Sequence, residues 1–153
     1  MERAARPDNR SAPLLHKFGH SFTGYYRLLA GIREAVYAKA GAAEYYDGLA
    51  ELAPGSVTQA MLRRMREEER AHLLQLQELY TEMKGKALKL PEALPRPEQF
   101  HTGLKEAFVR EAEGFRMLRK LVRQVPDPAA KELLHRMLLD ELLHASELAF
   151  IRF

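Results

Sequence analysis

Cysteine is absent from this sequence of 153 residues, and so is any long uninterrupted run of hydrophobic residues. Without cysteine the chain forms no disulfide, thiolate nucleophile or zinc-finger site, which suits a reducing compartment such as the cytoplasm. No apolar run approaches the roughly 18 residues that a transmembrane helix needs, and the first residues lead into no apolar segment of the secretory kind. We therefore expect a cytoplasmic protein with no membrane partner.

Long blocks of one charge are also missing. The formal net charge is +3 and the isoelectric point is about 9.2, but lysine and arginine alternate with glutamate along the chain. This pattern is typical of solvated helices, so no nucleic-acid partner is expected. With 46% hydrophobic and 29% charged residues, the composition is that of one soluble helical domain.

The sequence does contain a repeated pair of glutamate and histidine. Four Glu-x-x-His pairs occur, and a helix would place the two residues of each pair one turn apart on one face. Two of these pairs, Glu69/His72 and Glu141/His144, are related by an offset of 72 residues. The same offset aligns Pro54 with Pro126, Leu62 with Leu134, Met65 with Met137, and Leu76 with Leu148. A single offset without gaps indicates a duplicated helical hairpin.

Apolar residues spaced by threes and fours predict four long helices that end at proline and glycine. The predicted helices cover residues 23–53, 56–83, 100–125 and 128–150, and the third is expected to bury Phe108. Residues 85–99 form a linker that can run the length of a bundle. We therefore predict two antiparallel hairpins joined by a long crossover, with the second and third helices parallel. Residues 1–20 are expected to be a flexible arm, and residues 21–153 the bundle.

Four charged residues interrupt the apolar stripes at one height. Each lies 15 residues from the proline at its hairpin turn, so antiparallel hairpins would place all four at one level. These residues are Lys39, Glu69, Glu111 and Glu141, with His72 and His144 one turn away. A buried carboxylate requires a cation, a proton or a partner. Tyr46, on the stripe of Lys39, is interpreted as a core aromatic residue whose hydroxyl has a partner.

From about residue 25 to residue 153 the sequence resembles the ferritin-like superfamily, and specifically its small rubrerythrin-related four-helix proteins. In that family two helices supply one Glu each, the other two supply Glu-x-x-His each, and together they hold two iron or manganese ions. The likeness is carried by residues 39–50, by Glu68–His72, by Glu111 and by Asp140–His144. It implies an all-α ferritin-like bundle, and the implied metal ligands are Glu69, His72, Glu111, Glu141 and His144.

Lys39 departs from the family pattern, in which this position holds a sixth ligand, a Glu. A lysine removes a ligand and adds a positive charge that repels an adjacent cation. Three interpretations remain open. The ammonium replaces one ion and leaves Glu69, Glu111, Glu141 and His144 for a single iron or manganese ion. Otherwise Lys39 pairs with the carboxylates in a metal-free site, or it lies at the edge of the bundle while two ions bind.

The resemblance implies a metal-dependent oxidoreductase in which carboxylate-bridged iron or manganese reacts with dioxygen or peroxide. Such an enzyme would need an external electron donor, because no cysteine is present for a rubredoxin-type domain. The alternative is a non-catalytic bundle whose metal-free Lys–Glu core serves as a binding or structural module. A homodimer is a candidate assembly, and no residue is assigned a catalytic role.

Overall fold

The computed structural model describes residues 12–19 and 21–152. The helices in these ranges are α1 (Ala12–Phe18), α2 (Phe22–Leu52), α3 (Ser56–Lys84), α4 (Phe100–Gln124) and α5 (Pro128–Arg152). The described ranges contain no strand, and none of their helices is long and apolar enough to span a bilayer. The predicted all-α class is confirmed, and the four long helices begin and end within two residues of the predicted positions.

Local sequence explains where these helices begin and end. The Ser21 hydroxyl caps α2 by accepting a hydrogen bond from the amide of Gly24 at 3.0 Å. Asp127 caps α5 in the same way, through the amide of Ala130 at 2.9 Å. Gly85 ends α3 with a φ of 82°, in the left-handed region that a side chain disfavours.

Two apolar clusters show how the helices are arranged. The small apolar cluster joins Leu49 near the end of α2, Leu62 near the start of α3, Leu104 near the start of α4 and Leu148 near the end of α5. Helices α3 and α4 therefore begin at the same end of the bundle and run parallel, as predicted. The large apolar cluster lies at the opposite end and includes Ile32, Leu76, Leu118 and Leu134.

The linker of residues 85–99 connects the two ends of the bundle, and side chains of the helices hold it in place. The Gln77 amide group donates to the Leu88 carbonyl at 2.8 Å and accepts from the Leu88 amide at 3.1 Å. Nearer the other end of the linker, Arg96 forms an ion pair with Glu44 of α2 at 2.7 Å. The hairpins are thus joined by the predicted crossover.

One aromatic residue of α4 lies outside the buried stripe in which the sequence placed it. The side chain of Phe108 is 44% exposed, whereas Ala107 is 2% exposed. Helix α2 approaches α4 so closely that a Cβ atom on Gly103 would lie 2.7 Å from the side chain of Leu49. Such close packing selects small residues for the buried face of α4, so Phe108 turns outward.

Helix α1 occupies part of the arm that was predicted to be flexible. Ala12–Phe18 is helical, and the Phe18 side chain is buried in the large apolar cluster. Lys17 also pairs with Glu82 of α3 at 2.5 Å. Burial of an aromatic ring explains why this segment is ordered. Residues 1–11 and His20 lie outside the described residues, and for them the flexible arm stays a prediction.

Candidate metal centre

A layer of buried charged residues lies between the two apolar clusters. Each of the four long helices contributes to it, and its members are Lys39, Glu69, His72, Glu111, Glu141 and His144. The structure therefore brings together the four residues that the sequence placed at one height and the two histidines that it placed one turn away. Charges at such depth are stable only when they are paired, protonated or bound to a cation.

Lys39 lies inside this layer, with 2% of its surface exposed. Its ammonium nitrogen is 2.9 Å from Glu69 Oε2 and donates a hydrogen bond to Glu141 Oε1. Burial disfavours the charged amine, but Glu69, Glu141 and Glu111 outweigh burial and raise the pKa of Lys39 above its ordinary value. The interpretation that placed Lys39 at the edge of the bundle is therefore wrong. Its ammonium links a carboxylate of one hairpin to a carboxylate of the other.

Three carboxylates and one histidine converge beside this ammonium. One ligand atom each from Glu69, Glu111, Glu141 and His144 lies within 4.8 Å of the others. In this group Glu69 Oε1, Glu111 Oε2 and His144 Nδ1 have no hydrogen-bond partner, whereas Glu69 Oε2 lies 2.9 Å from the Lys39 ammonium. Buried polar atoms without a partner are uncommon in native proteins. A divalent ion with ligand distances of about 2.1 Å would satisfy them, so these residues fit a single ion.

His72 lies in the layer but outside this group of four. Its Nδ1 atom is 3.4 Å from Glu69 Oε1, on the carboxylate that also faces Lys39. The family resemblance would place His72 on the ion that Lys39 replaces, and its Nδ1 atom is a further buried atom without a hydrogen-bond partner. The ligand roles of His72 and of the four converging residues stay a prediction.

The residue before each motif glutamate contacts the histidine of the other motif. Glu68 Oε2 lies 2.6 Å from His144 Nε2, and Asp140 Oδ2 lies 2.9 Å from His72 Nε2. In both histidines Nδ1 then faces Glu69. A carboxylate on the outer nitrogen orients a metal-binding histidine. The sequence interpretation gave Glu68 and Asp140 no role, although their matching positions in the repeat could have identified them.

Tyr46 fills the space beside the layer and donates a hydrogen bond from its hydroxyl to Glu111 Oε1. Burial and the neighbouring Glu111 raise the pKa of Tyr46 well above its ordinary value, so the phenol stays protonated. The interpretation as a core aromatic residue with a partnered hydroxyl agrees with this contact. The hydrogen bond leaves Glu111 Oε2 as the oxygen that can bind an ion.

The charges of the layer shift one another's pKa values. Burial raises the pKa of Glu141 to about 9, an effect that Lys39 opposes. Burial also disfavours a charged His144, but Glu111, Glu69 and Glu68 outweigh it and raise the pKa of His144 to about 11. Near neutral pH the metal-free layer therefore holds a proton on His144, and an ion that binds this histidine must displace it.

Gly114, one turn after Glu111 on α4, leaves space for Glu141. A Cβ atom at this position would overlap Glu141 Oε2, so the carboxylate occupies the space of the missing side chain. The same position in the first half of the repeat is Ala42. The two halves of the repeat therefore differ at this position, and only the half that contains Glu141 has a glycine there.

Gly114→Ala is expected to weaken metal binding while the protein stays folded, because the new methyl group displaces the Glu141 carboxylate. Alanine favours a helix over glycine by about 1 kcal/mol, so the helix itself is not weakened. Gly41→Ala is the matched control, since a Cβ atom there meets only Arg110 at 3.9 Å. Metal titration and thermal melts of both variants measure the effect. Parent-like metal binding in Gly114→Ala would contradict the expectation.

Two hairpins, a crossover linker and a buried layer of Glu and His define a ferritin-like bundle, and solved structures agree. A ferritin-like, diiron-carboxylate protein of Bacillus anthracis strain Ames matches with a TM-score of 0.75 at 22% identity, over 87% of this chain and 100% of that one. A bacterioferritin of Desulfovibrio desulfuricans matches with a TM-score of 0.68 at 14% identity, over 85% of this chain and 80% of that one. The chain therefore has the ferritin-like fold.

Sequence comparison identifies a relative of similar length. The uncharacterized protein YhjR of Bacillus subtilis strain 168 is 27% identical over 118 residues, which are 77% of this chain and 81% of YhjR. No protein-family model matches the chain. The narrower resemblance to rubrerythrin-related proteins stays a prediction.

Proposed function

We propose that this protein binds one divalent ion, iron or manganese, through Glu69, Glu111, Glu141 and His144, with Lys39 in the place of a second ion. The observation that carries the proposal is the convergence of four buried ligand atoms, several of them without a hydrogen-bond partner. The likeness to a diiron-carboxylate protein supports a metal in this position. Oxygen and imidazole ligands suit both iron and manganese.

Each residue of the centre would have a distinct part in holding the ion. Glu69 and Glu141 would bind the ion while each also contacts the Lys39 ammonium. The ammonium would offset part of the negative charge of these two carboxylates. His144 would bind through Nδ1, because Glu68 holds its Nε2. The proton of the imidazolium would leave as the ion binds, so uptake of the ion should release protons.

We propose further that the protein is an oxidoreductase that acts on dioxygen or peroxide in the cytoplasm. Bound iron or manganese would supply one-electron redox chemistry. Reduction of peroxide to water consumes two electrons and two protons, and the chain has no cysteine to hold an iron–sulfur centre that could supply those electrons. An external electron donor is therefore part of the proposal. An aerobic Fe(II) oxidation assay tests it, and an inert Fe(II)-loaded protein would contradict it.

A second candidate function is a metal-free structural or binding module. The ion pairs of Lys39 with Glu69 and Glu141 favour it, because they supply counter-charge inside the layer without an ion. Metal analysis of protein purified without added iron separates the two candidates. About one ion per chain supports the metal-binding function, and no ion after titration with Fe(II) and Mn(II) supports the metal-free module.

Glu141→Ala is expected to abolish metal binding, because Glu141 contributes both a ligand oxygen and the carboxylate that holds Lys39. Titration with Mn(II) followed by metal analysis measures the loss. Glu132→Ala is the matched control, since Glu132 lies on the same helix but is exposed. Full metal binding in Glu141→Ala would remove this residue from the ligand set.

A further inference from the structure

Two clefts lead toward the buried layer from opposite sides of the bundle. The α2–α4 cleft, between those two helices, has a volume of about 410 Å³. The α3–α5 cleft, between the other two helices, has a volume of about 240 Å³. The two clefts have different residues at the bottom, and these residues indicate which cleft leads to the centre.

The bottom of the α2–α4 cleft is the centre itself. Lys39, Glu111 and Glu141 line the cleft, although each of them is almost fully buried. Glu111 Oε2 has no hydrogen-bond partner there. Gly114 lines the same wall, and the Glu141 carboxylate occupies the space that a side chain at this position would fill. A cation that enters this cleft would meet two ligand carboxylates directly.

The α3–α5 cleft ends before it reaches the centre. Glu68, His72 and Asp140 line it, but none of the four proposed ligands does so in the described part of the chain. The contacts of Glu68 with His144 and of Asp140 with His72 lie across this side of the layer. An ion arriving here would have to break one of these contacts before it met Glu69 or His144.

We propose that the α2–α4 cleft is the route by which a divalent ion, and a small polar substrate of the bound ion, reaches the centre. This inference rests on the proposed function. The rim carries Glu34 on α2 and Glu113 on α4, so a carboxylate stands on each wall. Arg110, Arg116 and Lys120 line the same rim. A mouth with charges of both signs suits a hydrated ion or peroxide rather than an apolar molecule.

Two exposed alanines in equivalent settings provide a matched test. Ala38 lies in the α2–α4 cleft and Ala71 in the α3–α5 cleft, and both are helical. Ala38→Phe should slow uptake and release of Co(II) by about tenfold at unchanged affinity, since a barrier on the route alters neither end state. Ala71→Phe should leave both rates unchanged. Stopped-flow absorbance of Co(II), whose visible spectrum reports nitrogen and oxygen ligands, measures the rates in metal-free protein.

The outcomes separate failure of the route from failure of the function. Slower uptake in Ala71→Phe but not in Ala38→Phe overturns the proposed route, and so do equal rates in the parent and both variants. A parent protein that binds no Co(II) overturns the proposed function and the route together. Thermal melts verify folding, and Ala38→Met replaces Ala38→Phe if the larger side chain prevents it.

Discussion

Replacing Lys39 by alanine is expected to lower the free energy of unfolding of the metal-free protein by about 3–5 kcal/mol, the usual cost of removing one partner of a buried ion pair. The ammonium contacts Glu69 and Glu141, and neither carboxylate reaches solvent. Without Lys39 the three carboxylates of the layer lose the cation between the hairpins. A chelated sample supplies no ion, so they must take up protons instead, and protonation of a carboxylate near neutral pH costs stability.

Chemical denaturation in the presence of a chelator measures this loss. Lys105→Ala is the matched control, because Lys105 is exposed on α4. Lys39→Met retains most of the side-chain volume, so a similar loss in that variant assigns the effect to charge rather than to a cavity. Unfolding of Lys39→Ala at the parent's denaturant concentration would show that the ion pairs contribute little.

Lys39→Glu is expected to raise metal binding from about one ion per chain toward two, because it restores the carboxylate that the family pattern places on this helix. His72 would then have a second ion to bind, together with Glu69 and Glu141. The metal-free variant should be less stable than the parent, since four buried carboxylates would face one another without the ammonium. Added Mn(II) or Fe(II) should reverse that loss.

Thermal melts with and without Mn(II), combined with metal analysis, test both effects. Lys105→Glu introduces the same change of charge at an exposed position and should alter neither. A Lys39→Glu protein that melts like the parent and gains no metal would place residue 39 outside the centre. Two ions bound to the parent protein would instead show that the ammonium does not replace an ion.

The position of the layer could be predicted from the sequence because it depends only on the number of residues between each charged residue and its hairpin turn. Residues 15 positions from a hairpin turn share a level whatever their side chains, so Lys39, Glu69, Glu111 and Glu141 were predictable as neighbours. Periodicity likewise predicted which helix faces are buried. Both predictions use only the rise and the rotation per residue, which are the same for every residue of a helix.

The contacts within the layer were not predictable in this way, because they depend on how far each helix is rotated and how closely it approaches its neighbours. Phe108 was expected inside, but the close approach of α2 to α4 favours Ala107. Nor does the space that Gly114 leaves for Glu141 follow from spacing, since the two residues are on different helices. The deciding quantity in both cases is a distance between helices of about 8–10 Å, which no residue count gives.

Glu68 of the first hairpin contacts His144 of the second, and Asp140 of the second contacts His72 of the first. Reciprocal contacts of this kind are what two identical subunits make across a two-fold axis, where residue i meets residue j and j meets i. A single hairpin therefore contains half of the centre, and the two hairpins meet as the halves of a symmetric pair would. Two positions beside the centre break this symmetry: Lys39 corresponds to Glu111, and Ala42 corresponds to Gly114.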